Sequence, residues 1–281
     1  MCLILFAINP NPNYKLILAA NRDEFFERPT EKADFWDQKQ NLLAGKDLQQ
    51  GGTWLGLTKN GRFSAVTNYR PPQTDISFER SRGELPVNFL KNNDSPENYI
   101  RLLNKNQDKY NGFNLIVGDS KEFYYCSNRI KGSQKLENGF FGLSNETLNC
   151  SWPKVRNGRQ RLMRLSKKGF SNADLYQILE DRGSTEEFSA SFIYGENYGT
   201  RAITILTIDS LNRVIFEEKT FGPLGKFKAL SSFNFRLDFW LTFLFLRNVF
   251  NLIYHFGRNI DFFIFNGTIN LNIFFNLTFE L

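Results

Sequence analysis

Apolar positions along the first half of the chain fall into short runs, each stopped by turn-forming residues. Residues 2–8 and 14–20 read as two strands parted by Asn9-Pro10-Asn11-Pro12-Asn13. Residues 53–58 and 62–67 flank Lys59-Asn60-Gly61, a hairpin signal because Asn-Gly tolerates positive φ. Residues 113–118 and 122–126 form a further pair. Helical patterns come between and after these runs. Ser95-Pro96-Glu97 opens a helix to about Gln107, with Pro96 at the first helical position. Residues 154–168 set Val155, Leu162, Met163 and Leu165 among many basic residues, as an amphipathic surface helix does. Residues 172–181 carry Leu175, Ile178 and Leu179 as another helix, and residues 202–208 and 214–220 are two final strands. Hairpin sheets with helices grouped between them predict an α+β layered fold.

Composition changes this picture after Gly222-Pro223-Leu224-Gly225. Residues 226–281 hold 14 of the 30 phenylalanines and eight asparagines. The chain is therefore read as a domain over residues 1–225 and a Phe/Asn-rich tail over 226–281. Three readings of the tail stay open: docked helices or strands, an aberrant stretch translated past a frameshift, or a membrane contact. Residues 239–256 are interrupted by Arg247, Asn248 and Asn251 and fall short of the roughly 20 apolar residues a span needs.

The net charge of +6 comes from Lys and Arg scattered along the chain, with no long basic run, which argues against nucleic-acid binding. Three cysteines, Cys2, Cys126 and Cys150, are odd in number and lack CxxC spacing. They suit neither a disulfide framework nor a zinc site, and no metal cluster is expected. A reducing, cytoplasmic setting follows. The opening apolar stretch is short and has no basic residue before it, so no signal peptide is read.

Candidate chemistry begins at the second residue. Loss of Met1 would leave Cys2 with a thiol and a free α-amino group, a nucleophile and base in one residue. That amine has an ordinary pKa of about 7.7–8.0. The only histidine of the chain, His255, lies in the tail, so composition permits a histidine-free mechanism. The polar run Asn21-Arg22-Asp23-Glu24 follows the second strand directly. It is either a solvated loop or a site where Arg22 favours the thiolate and Asp23 holds the α-amino group. Asn68, at a strand end, could donate to an oxyanion, and Gly142-Leu143-Ser144-Asn145 reads as a strand-to-helix connection. Arg201 leads into a later strand from Gly199-Thr200-Arg201-Ala202. Gly51-Gly52-Thr53-Trp54-Leu55-Gly56 reads as a tight turn rather than a phosphate cradle.

Taken together with Arg28-Pro29-Thr30, Thr67-Asn68-Tyr69-Arg70 and Trp152-Pro153-Lys154-Val155, these segments resemble the NRDE family (transport and Golgi organisation 2-like proteins) over roughly residues 1–222. The resemblance implies an N-terminal nucleophile hydrolase superfold, a four-layer αββα sandwich. It also implies site residues: Cys2 as nucleophile and base, Arg22 and Asp23 in support, Asn68 and Asn145 as oxyanion donors, and Arg201 as a supporting charge. Two activities follow from it. One is cleavage of a small amide or acyl substrate, which requires no cofactor. The other is non-catalytic carriage of haem or another apolar ligand in the same pocket, since the family is associated with haem trafficking. A scaffolding role is a third possibility. The tail matches nothing in the family.

Overall fold

The computed structural model describes residues 2–36, 41–70, 78–238, 262–265 and 268–271. These belong to two units, Met1–Leu237 and Asp238–Leu281. In chain order the first unit holds β1 (Leu3–Asn11), β2 (Tyr14–Phe25), β3 (Thr30–Phe35), β4 (Leu42–Asp47), β5 (Leu55–Thr58) and β6 (Phe63–Asn68). Next come α1 (Glu84–Lys91), α2 (Pro96–Leu103), β7 (Phe113–Gly118), β8 (Phe123–Ser127), β9 (Ser133–Leu136) and β10 (Gly139–Leu143). It finishes with α3 (Pro153–Lys168), α4 (Asn172–Leu179), β11 (Tyr198–Asp209), β12 (Arg213–Phe221) and β13 (Phe227–Arg236).

Two antiparallel sheets result. One has the order β10-β1-β2-β11-β12-β13, the other β3-β4-β5-β6-β7-β8-β9. Alternation along β1 sends Ile4, Phe6 and Ile8 between the sheets, where they meet Leu57, Phe63 and Ile116. The intervening Leu3, Leu5 and Ala7 face Val155, Leu162 and Leu175 of α3 and α4. On the outer face of the second sheet, Leu85, Phe89 and Ile100 of α1 and α2 cover Val66, Leu115 and Val117. The layers are therefore helices, sheet, sheet, helices, the αββα order. Strands covered on both faces explain the unbroken apolar runs of the sequence.

Local signals set several boundaries. Ser95 accepts from the Asn98 amide at 3.2 Å and Pro96 occupies the first turn, so α2 starts where its sequence indicates. It stops at Leu103, earlier than periodicity suggested, and a single 3₁₀ turn follows at Gln107–Lys109. Helix α3 buries Val155, Gly158 and Leu162, a stripe at helical spacing, while Met163 is turned outward. Gly158 lets α3 sit against β1: a Cβ there would lie 2.6 Å from Leu5 Cδ1.

The largest departure from expectation is β2. It does not end at Ala20 but runs through the polar Asn21-Arg22-Asp23 to Phe25, pairing with β11 along its length. These three residues are buried in a sheet, not set in a solvated loop. The first unit also continues past Gly225 to Leu237, because β13 adds an edge strand to β12. In the second unit, β14 (Phe262–Phe265) and β15 (Thr268–Leu271) form a hairpin. Residues 239–256, including His255, lie outside the described residues. Among the described residues, no helix is long and apolar enough to cross a membrane.

Candidate functional site

Cys2 immediately precedes β1, which pairs with β2 from Leu3 opposite Asn21. Extending that register by one residue brings Cys2 opposite Arg22. Cys2 is partly buried. It shares a tight space with Ile4, Ala20, Arg22, Trp54 and Leu55, on the side of the sheet that faces the other sheet. Its sulfur approaches the Asp23 carbonyl at 3.9 Å. Burial pushes the thiol's pKa up; Asp23 pushes the same way and Arg22 opposes it.

Alternation explains why an arginine and an aspartate stand next to each other. Arg22 shares the thiol's side, its guanidinium 4.3 Å from the centre of the Trp54 ring. Asp23 points to the helix side. There its Oδ1 accepts from the Thr200 hydroxyl at 2.7 Å, and the buried Lys154 of α3 faces it. Burial raises the Asp23 carboxyl, and Lys154 and the Thr200 hydrogen bond hold it back. Lys154 is itself depressed by burial and pulled the other way by Asp23. Its ammonium lies 3.5 Å from the Cys2 carbonyl, which also accepts from Ser144 Oγ at 2.6 Å. On this face Lys154 thus joins the Asp23 carboxyl to the Cys2 carbonyl, which Ser144 also holds.

Ser144 links Cys2 to the second sheet. Its carbonyl accepts from Thr67 Oγ1 at 2.6 Å, and Asn114 donates to that same hydroxyl at 3.2 Å and to the Glu146 carbonyl at 2.9 Å. The neighbouring Asn145 is buried and donates from Nδ2 to the Asn68 carbonyl at 2.8 Å. Its Oδ1 accepts nothing among the described residues. An amide nitrogen carries two hydrogens, so Asn145 keeps one for a further acceptor. Asn68 meets Asn145 through its backbone, and the residue itself is exposed.

Arg201 stands apart from the sulfur. The β2–β11 register pairs Thr200 with Asp23 and Ala202 with Arg22, which makes Arg201 the extra residue of a β-bulge. Its Nη1 donates to the carbonyls of Phe25 and Arg28, fixing the chain just after β2. The structure therefore gathers Cys2, Arg22, Asp23 and Asn145 at one end of the first sheet. It brings Asn68 in by its carbonyl and places Arg201 behind Arg22.

Sequence reasoning passed over Lys154, Thr200, Ser144 and Glu218. Thr200 sits beside the chosen Arg201, and strand alternation alone could have separated the two roles. Glu218, on β12, lies 1% exposed beside a cavity of about 240 Å³ that Arg22 and Trp54 also border. Haem iron is commonly held by His, Cys, Met or Tyr. None of these residue types lines that cavity, whereas Cys2 lines the adjoining space.

A family model described as Transport and Golgi organisation 2 matches residues 1–223. The chain is 34% identical over 257 residues to the Transport and Golgi organization protein 2 homolog of Homo sapiens, covering 78% of this chain and 93% of that protein. It is 28% identical over 283 residues to Transport and Golgi organization protein 2 of Drosophila melanogaster, covering 85% and 99%. Among solved structures it is similar to the C2A mutant of conjugated bile acid hydrolase from Clostridium perfringens. The TM-score is 0.49 at 12% identity, over 97% of this chain and 99% of that one.

Proposed function

We propose that this chain, which belongs to the Transport and Golgi organisation 2 family, is a cysteine hydrolase of N-terminal nucleophile type that cleaves a small amide or acyl substrate through Cys2. The observation that carries the reading is the division of charge across β2: Arg22 lies on the thiol's side, and Asp23 on the helix side with Thr200 and with Lys154, whose ammonium reaches the Cys2 carbonyl.

In this reading, removal of Met1 frees the α-amino group, which takes the thiol's proton as the sulfur attacks the substrate carbonyl. Arg22 favours the thiolate. The remaining Nδ2 hydrogen of Asn145 faces the developing oxyanion, with Asn68 as a second candidate donor. Collapse of the tetrahedral adduct breaks the C–N bond, and the amine leaves with the proton carried by the α-ammonium. Water then attacks the thioester, passing one proton back through the α-amino group, and releases the acid and the free thiol. Asp23 holds the ammonium while it is charged. Arg201 acts at one remove, by fixing the carbonyls of Phe25 and Arg28. We assign the activity to the cytoplasm, where three free cysteines persist as thiols.

Intact-protein and peptide mass spectrometry after incubation with an electrophilic acyl probe tests the proposal. The expected result is a chain lacking Met1 with Cys2 acylated well ahead of Cys126 and Cys150. Both of those thiols are shielded, and burial pushes Cys126 up to about 12. Retention of Met1, or labelling of Cys2 no faster than the other two, rejects it.

A further inference from the structure

We infer that the cavity behind Arg22 is a carboxylate subsite, and that the amide cleaved at Cys2 carries a carboxylate held between Arg22 and Arg201. The cleavage half of this statement rests on the hydrolase reading; the binding half does not.

Arg22 is 7% exposed. A guanidinium has five N–H donors. Among the described residues its only hydrogen bond is a 3.5 Å approach to Thr30 Oγ1, and its ion pair with Glu24 spans 3.8 Å. A buried arginine this weakly partnered is unusual, because buried charges are paired. Its guanidinium carbon lies over the Trp54 ring, and both residues border the cavity. Arg201 reaches the same cavity from the bulge on β11. Its Nη1 is spent on backbone carbonyls, while Nε and Nη2 bond to nothing among the described residues.

Lys32 and Lys228 complete four cations around a space that has two acids, Glu31 and Glu218. Glu218 does not close on Arg22, since its oxygens accept from the Ala33 amide at 2.7 Å and the Thr204 hydroxyl at 3.2 Å. Its pKa, pushed up to about 7 by burial, further reduces the negative charge near neutrality. Two guanidinium groups suit a planar carboxylate. The cavity, of about 240 Å³, has room for a short carboxylate-bearing group. Arg22 and Trp54 also wall the space around Cys2, so the carboxylate and the scissile carbonyl are only a few atoms apart.

The test compares N-butanoylglycine with its neutral isostere N-butanoylglycinamide. Affinities are measured by calorimetry on the full chain carrying Cys2→Ala, so that turnover does not intervene. The acid should bind about tenfold tighter, as one well-formed charged pair gives. Arg201→Gln should abolish that preference and Arg201→Lys retain part of it. Arg201 also braces the segment after β2, so the exposed Lys228→Gln provides a second arm, with an expected two- to threefold loss of preference by weaker, screened attraction (about that size for a rim charge). Equal affinity for the two compounds, no binding of the acid, or a preference untouched by both substitutions overturns the subsite. A preference without hydrolysis by the Cys2-containing protein keeps the subsite and rejects the hydrolase. Hydrolysis of neutral amides without any preference does the reverse.

Discussion

Replacing Glu218 with glutamine separates the burial of a carboxyl group from the burial of a charge. Glu218 lies on the inner face of β12 and is 1% exposed. Burial raises its pKa from the ordinary 4.5 to about 7, against the pull of the Ala33 and Thr204 hydrogen bonds and of Arg22. The folded protein therefore binds this proton more tightly than the unfolded chain does. Its contribution to stability is complete below about pH 4.5 and is lost as the pH rises to about 7. At about 1.36 kcal/mol per pH unit, the loss across that window is about 3 kcal/mol. Glutamine carries no charge at any pH. It keeps an oxygen for the Ala33 amide and offers an N–H to the Thr204 hydroxyl. Glu218→Gln should therefore match the wild type to within about 1 kcal/mol near pH 4.5 and exceed it by up to about 3 kcal/mol near pH 8. Urea unfolding of both proteins at several pH values between those limits checks this, because every other titrating group cancels in the difference. A difference that stays constant with pH, or a variant less stable than the wild type near pH 8, would refute the reasoning.

Thr200→Val removes the donor to Asp23 and the acceptor of the Ile193 amide, bonds of 2.7 and 2.8 Å. It should cost about 2 kcal/mol in denaturant unfolding and slow acylation of Cys2. Lys154→Met strips a buried cation from Asp23 and should cost about 3 kcal/mol or more, because it leaves a buried carboxylate. Lys154→Met combined with Asp23→Asn should recover part of that stability but no acylation, as unfolding and probe labelling would show. Gly45→Ala places a methyl group against the Trp54 ring. The expected result is a loss of about 1–3 kcal/mol and weaker discrimination between N-butanoylglycine and its amide, read by unfolding and calorimetry.

The interiors of the strands were legible because burial on both faces writes apolar runs into the chain. Residues 113–118 matched β7 end to end, and Ser95-Pro96 marked the start of α2. The polar end of β2 was not legible as strand, because what satisfies it is far away in sequence. Asn21 donates to the carbonyls of Leu179 and Ser191, and Asp23 accepts from Thr200. Strand β9, with Ser133, Gln134 and Lys135 exposed, carries no apolar period at all. The site was legible in part. Cys2, Arg22 and Asp23 stood out because reactive or charged residues flank strand ends. Lys154 did not, because one lysine among the basic residues of α3 looks like any other until the helix is docked on the sheet.

The pairing of Arg22 with Asp23 shows what the fold adds to composition. In solution the two opposite charges would largely cancel at the distances a mobile loop allows. Held in a strand, they cannot meet, because successive side chains leave by opposite faces. Each then faces a different side of the sheet: the guanidinium lies on the thiol's side and the carboxyl on the helix side, with Thr200 and Lys154. The bulge at Arg201 depends on the same geometry. Without the extra residue, alternation from Thr200 would continue unbroken, and the pairing that sets Thr200 on Asp23 could not also set Ala202 on Arg22. One inserted residue thus lets β11 brace the carboxylate on one face and feed a second arginine to the cavity on the other. The proposed carboxylate subsite and the proposed activation of Cys2 thus depend on a single register, and a slip of one residue between β2 and β11 is expected to disrupt both together.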